Sequence, residues 1–209
     1  MLRTLLSVAL LLLLGACAFG NTIDYRSQPL ELAAKTDKPV VVGVDDKRPY
    51  VVSKDNTPEF VGVIRSAGGI PYGVHTTSGK PLAADFSASI VKALGANGVS
   101  ASEVTILVSA TADTGLKALT GTGAQRCLLV TIIDWKSDKY FNTTLTYALK
   151  ADVFDAAGKV IASNAVQGTT PISGDISHPT ENLERNATGI AQKAMKQLLD
   201  DSKILEALR

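Results

Sequence analysis

Two cysteines, two histidines and one tryptophan are spread over 209 residues. His75 and His178 are far apart and neither has a Cys or carboxylate cluster at ligand spacing, so no metal site is expected. No cofactor is expected either. Aromatic residues make up only 5% of the chain, which argues against a sugar or peptide groove built on them. The 21 basic and 20 acidic residues nearly cancel, and no Lys/Arg run stands out, so nucleic acid is not an expected partner. After the first sixteen residues no apolar run approaches the ~20 residues of a membrane span. Catalytic signatures are equally thin. Ser89-Ile90-Val91-Lys92 has the Ser-x-x-Lys spacing of penicillin-recognising enzymes, but no Lys-Thr-Gly element accompanies it. Gly121-Thr122-Gly123 precedes a strand, whereas a phosphate-binding glycine loop follows a strand and opens a helix. A Ser/His/Asp set, a metal cluster and a carboxylate pair are all missing from the pattern. The expectation is therefore a protein that is not an enzyme.

What is present begins at the N-terminus. Arg3 is followed by an apolar run from Leu5 to Leu14, interrupted only by Ser7, and then by Leu14-Gly15-Ala16-Cys17. A positive start, a short apolar core and small residues before a cut form a secretory signal. A Leu, two small residues and a Cys directly behind it form a lipobox, which marks Cys17 for acylation. Two or three acyl chains make a stable anchor where one does not. Residues 1–16 are thus read as a lipoprotein signal peptide and 17–38 as the lipidated Cys with a tether. Stretched out, that tether reaches about 65 Å, although the part around Thr22 to Arg26 could instead pair as an edge strand. Ala18, rather than Asp, after the cysteine points to the outer membrane, with the inner membrane as the alternative. Once Cys17 is acylated only Cys127 keeps a thiol, so no disulfide forms within the mature chain. Cys127 lies in the apolar run Cys127-Leu128-Leu129-Val130, where burial is expected.

Residues 39–209 read as a single α/β domain. Val40 to Val44 is a β-branched strand that ends in Asp45-Asp46-Lys47-Arg48. Phe60 to Ile64 has the character of a short strand. The rest of the Pro49–Lys80 stretch, with Gly68-Gly69 and Ser78-Gly79, reads as a long loop or loose hairpin. Leu82, Phe86, Ile90, Ala93 and Leu94 recur at helical spacing, which predicts a helix over 82–95. Val104 to Val108 is a strand and Asp113 to Leu119 a short helix. Arg126 to Trp135 is apolar on both sides, as in a central strand covered on both faces. Leu145 to Val153 alternates with period two. Asp155-Ala156-Ala157-Gly158 then makes a tight turn into a returning strand, Val160 to Val166. A long helix from Thr180 to about Leu199 carries the stripe Leu183, Ala187, Ile190, Ala191, Ala194, Leu198, and Ile204 to Leu208 close the chain. The fold class that follows is a two-layer α/β (α+β) sandwich, with a mixed, mostly antiparallel sheet and helices on one face.

The strand ending in Asp46 and Arg48, the later Val61-Gly62, the helix from Asp85 to Leu94 and the C-terminal hairpin with its helix occur in the order of the YajG-like family of bacterial lipoproteins. The stretch from Leu145 to Leu208 carries most of this, through Lys150-Ala151-Asp152, Asn186, Leu198, Asp201, Ile204 and Leu208. The chain resembles that family over most of its mature length and departs from it in a longer Gly-rich segment before the first helix. The resemblance implies an envelope lipoprotein. By analogy of strand and helix order it further implies a component that acts by binding another envelope protein.

Two places are candidates for recognition. Asp45, Asp46 and Arg48 form the one charged cluster at a strand end; the plainer reading is a local ion pair and turn. The segment from Gly62 to Lys80, with Gly68, Gly69 and Tyr72, is the other. It is expected to lie on the surface and to contribute little to the core, because a compact domain rarely keeps so long a loop without use. The alternative there is a hairpin that completes the sheet. Used as a lid, the same segment would make the protein a binder of small ligands or cell-wall fragments instead.

Overall fold

A computed structural model describes residues 21–65, 69–108, 112–139, 143–172 and 179–209. The lipobox residues Leu14, Gly15, Ala16 and Cys17 lie outside that range, as do Gly68 and His178. The elements, in chain order, are β1 (Asn21–Ile23), β2 (Val40–Asp46), α1 (Pro49–Val52), β3 (Phe60–Arg65), β4 (Pro71–Thr76), α2 (Leu82–Ala96), β5 (Ala101–Thr105), α3 (Ala112–Thr120), β6 (Arg126–Lys139), β7 (Thr143–Asp155), β8 (Val160–Ile172), α4 (Pro179–Leu199) and α5 (Ser202–Leu208).

The sheet is built around β6. Along one edge β6 pairs antiparallel with β7, which in turn carries β8. Its other edge is shared end to end by two parallel strands. β2 occupies residues 126–132 and β3 occupies 137–139. The sheet therefore forks there: β5 lies outside β2, while β4 and then β1 lie outside β3. The longest ladders are antiparallel, while β1, β2, β3 and β5 each enter at least one parallel pair.

Local chemistry explains the elements. In α2 the apolar residues at three- and four-residue spacing are buried, together with Asp85, Ser87 and Ser89, and Gly98, at φ +80°, ends the helix where a side chain would strain. The β7–β8 turn is held by Asp155, whose Oδ1 accepts from the N–H groups of Ala157 (2.9 Å) and Lys159 (3.0 Å). Gly158 takes the left-handed conformation there, at φ +76°. Asp201 caps α5 by accepting from the Lys203 N–H.

Because side chains alternate across a strand, β2 and β6 send residues to both faces. Val40, Val42, Val44, Leu128, Val130 and Ile132 face the main core under α2, α4 and α5. Val41, Cys127 and Phe154 face the other way and pack with Leu119 of α3 and Ile106. The α/β sandwich stands, with one addition: α3 covers part of the second face. An apolar run such as 126–133 requires that cover, since a bare second face would expose Cys127 and Leu129.

Two segment assignments change. Residues 21–38 are not a free tether. Ile23, Tyr25, Leu32 and Ala34 are buried, and Tyr25, Phe86 and Trp135 meet edge to face with ring centroids 5.0–5.6 Å apart. The Trp135 indole N–H donates to the Tyr25 hydroxyl at 3.1 Å, and Asn97 Nδ2 donates to the carbonyls of Leu32 and Ala34. The physical reason is apolar content: these four residues have nowhere else to hide from water. The strand predicted for Val104–Val108 is instead Ala101–Thr105, placed by its parallel register with Val40–Val44.

Candidate functional site

The charged cluster at the end of β2 turns inward. Asp46 and Arg48 are 1% and 0% exposed, so they do not present charge at a surface. Arg48 donates from Nε and Nη2 to the two carboxylate oxygens of Asp46, at 2.8 and 2.6 Å. Nη2 also donates to the carbonyl of Pro58, just before β3, and Nη1 to that of Phe60, its first residue. The guanidinium lies 5.6 Å from the Tyr50 ring centre, and the Tyr50 hydroxyl donates to the Trp135 carbonyl at 2.8 Å. This is the joint where β6 passes from one neighbour to the next. Lys47 N–H still bonds Ile132 O, α1 then leaves the edge, and the Arg48 fork fixes the entry of β3. A bidentate pair with further donors held by backbone carbonyls is an arrangement in which a buried charge is tolerable. The recognition role considered for Asp46 and Arg48 gives way to an architectural one.

Asp45 differs from its neighbour. It is 4% exposed; its Oδ2 meets Lys47 Nζ at 3.2 Å, while Oδ1 has no hydrogen-bond partner among the described residues. Burial pushes its carboxyl above the ordinary range, against the opposing pull of Lys47.

The Gly-rich segment is part of the sheet. β3 and β4 form an antiparallel hairpin, Phe60, Val61, Val74 and Thr76 are buried, and β4 also pairs with β1. The expectation that Gly62 to Lys80 contributes little to the core is overturned. Gly62 itself sits where a Cβ would lie 2.6 Å from the Ser137 carbonyl oxygen, so its missing side chain lets β3 close on β6. Gly69 adopts φ +80°, and Ile70 and Tyr72 are 58% and 51% exposed.

A cleft of about 290 Å³ lies between the start of α2 and the outer side of β5. Small residues on the helix, Ala83, Ala84 and Ser87, leave the room; Ile106, Leu107 and Val108 supply an apolar wall. Ser87 is 5% exposed and its hydroxyl has no partner among the described residues. Beside the cleft, β5 pairs only with β2 among the described residues. Val40 N–H donates to Ser100 O, and parallel ladders alternate. It follows that Ser102 and Val104 turn their backbone groups to β2, while Ala101, Glu103 and Thr105 turn theirs to the open edge. Sequence reading missed this cleft. The signal available was the run of small residues on α2 facing a strand of mixed polarity.

The other candidates are structural. Ser89 is buried in α2, and Lys92 reaches the Ser27 carbonyl at 3.4 Å. His75 packs against the Phe60 ring. Among the described residues no three His, Cys, Asp or Glu side chains converge on a metal position, and no helix is long and apolar enough to cross a membrane.

No family model matches the chain, and no curated protein does. Among solved structures, protein XCC0632 from Xanthomonas campestris, of the family DUF330, is 13% identical with a TM-score of 0.52, covering 88% of this chain and 95% of its own. Lipoprotein GNA1162 from Neisseria meningitidis (15% identity, TM-score 0.30, covering 74% and 97%) and the LpoB C-terminal domain from Salmonella enterica (13%, 0.34, covering 66% and 87%) are more distant, and neither bears on this chain's role. The YajG-like resemblance is not tested by these likenesses. What the first of them shows is the fold: this chain shares the α/β architecture of a DUF330 protein across most of its length.

Proposed function

We propose that the chain is a non-enzymatic accessory lipoprotein of the bacterial cell envelope, of YajG-like kind. Lipidated Cys17 holds it to the outer membrane, and it binds another envelope protein. One observation carries the binding: an apolar cleft runs beside the unpaired edge of β5 and contains a buried, unpartnered hydroxyl at Ser87. An open edge offers backbone donors and acceptors at regular spacing, and an extended polypeptide is the partner that matches them. The small-ligand alternative needed a pocket beside residues 60–80. The cleft touches the two ends of that segment, at Pro58 and Pro81, but takes most of its wall from α2 and from Glu103 to Val108, beside an open strand edge that suits an extended polypeptide better than a small ligand.

Photo-cross-linking residues placed at Ala84 and Leu107 in intact cells test this. A discrete adduct from both positions is expected, absent when the reagent sits at Ala157 in the β7–β8 turn. Thr105→Pro removes one outward N–H without touching the β2 ladder and should abolish the adduct. Identical products from all three positions would end the proposal.

A further inference from the structure

We propose that the β4 side of the β3–β4 hairpin's tip, Gly69 to Tyr72, is a second membrane contact, seated in the lipid interface beside the acylated cysteine. This rests on the reading of Cys17 as a lipid anchor. Its occupant is the lipid surface itself.

The argument is one of chain length and direction. β1 runs parallel to β4, with Asn21 level with Val74. The N-terminal end of β1 therefore points the same way as the start of β4, toward the tip. Only residues 18–20 separate Cys17 from β1. Four residue steps reach at most about 14 Å from Asn21. Ile70 precedes Val74 by the same four residues, a rise of about 13 Å along a strand. An anchor at Cys17 thus holds the tip close to its own depth. The 20-residue tether that would have lifted the domain clear is absent, because residues 21–38 are folded into the core.

The chemistry of the tip fits that position. Ile70 and Tyr72 are the large apolar side chains exposed there, at 58% and 51%. Pro71 lies between them, and no charged residue occurs from Ala67 to Val74; the nearest charges, Arg65 across from Pro71 and Asp138, pair with each other at 3.2 Å. Tyrosine with a neighbouring aliphatic is the composition that settles at the headgroup boundary, ring inward and hydroxyl toward water. A small apolar contact of this kind would bind weakly alone. Beside acyl chains it is held at high effective concentration, and it fixes which face of the domain meets the lipid.

The test uses the mature, acylated chain in vesicles of phosphatidylethanolamine and phosphatidylglycerol. Ile70→Cys, Tyr72→Cys and, at the far end, Ala157→Cys each carry an environment-sensitive fluorophore; brominated acyl chains act as quencher. Labels at 70 and 72 should shift to the blue and be quenched several-fold more than the label at 157. Because an apolar label has its own affinity for lipid, the unlabelled chain is followed in parallel. Hydroxyl-radical oxidation of Tyr72 should fall several-fold on vesicles relative to the unacylated Cys17→Ser chain in buffer. If the chain floats with vesicles but 70 and 72 behave like 157, the contact is refuted while the anchor stands. Wild type that floats no better than Cys17→Ser removes the anchor and this inference together. Tyr72 protected in cells but not on vesicles would mean a protein covers the tip, and that also overturns the proposal.

Discussion

Arg48 shows how one residue sets the cost of a change. Arg48→Met leaves the Asp46 carboxylate buried without its partner, and the carbonyls of Pro58 and Phe60 lose their donor. Urea unfolding should show a loss of about 3–5 kcal/mol. Adding Asp46→Asn should restore part of it, since the uncompensated charge is then gone. Asp45 predicts a pH dependence of definite sign. Its folded carboxyl titrates above the ordinary 3.8, so the native state holds the proton more tightly than the unfolded one. The stability this contributes is complete below 3.8 and is lost as pH rises through the elevated folded value. Asp45→Asn should therefore flatten the fall in stability just above pH 3.8, as read from melting temperature against pH. Cys127 is fully buried, burial pushes its thiol upward, and its sulfur meets the Leu119 carbonyl at 3.6 Å. It should resist iodoacetamide in the native protein and react once urea unfolds it. Rapid native labelling would show that β6 is exposed.

Among the elements, the β3–β4 hairpin gives the sharpest test. Replacing Ala67 to Thr77 with a short Gly-Ser linker deletes β4, and with it the pairing of β1 and the burial of Val74 and Thr76. Cooperative unfolding should be lost or strongly weakened; a change within about 1 kcal/mol, as for a surface loop, would mean the hairpin is dispensable. This element also marks the limit of sequence reading. α2, α4 and the β7–β8 hairpin were legible because each carries a period, 3.6 or 2, over ten or more residues, with a turn or cap at its end. β4 is not legible in that way. Its residues Pro71-Tyr72-Gly73-Val74-His75-Thr76 place one apolar side chain in the core, and its pairing is decided by β1 and β3. The Arg48 fork was half legible. A charged pair at a strand end reads the same on a surface or inside, and the carbonyls that make it interior belong to Pro58 and Phe60. The β5 cleft was signalled by the small residues on α2, but that the edge beside it stays open is encoded by no local pattern.

At the scale of the molecule the fork at β6 has a kinetic consequence. Both branches of the sheet, β2 with β5 and β3 with β4 and β1, close only against residues 126–139. The first three-fifths of the chain therefore contains five strands without their common neighbour. A fragment ending before Arg126 should lack protected amides in hydrogen exchange, whereas the full-length domain protects β2 and β3. Non-local pairing of this kind slows folding, because loop closure must precede the contacts that reward it. On the proposed reading of residues 1–16 as a secretory signal, the chain would be threaded N-terminus first through a narrow channel and would have reason to delay its own collapse. Here the delay is written into the order of the strands: the piece that lets the others set is made late, and until it arrives the chain stays pliable enough to travel.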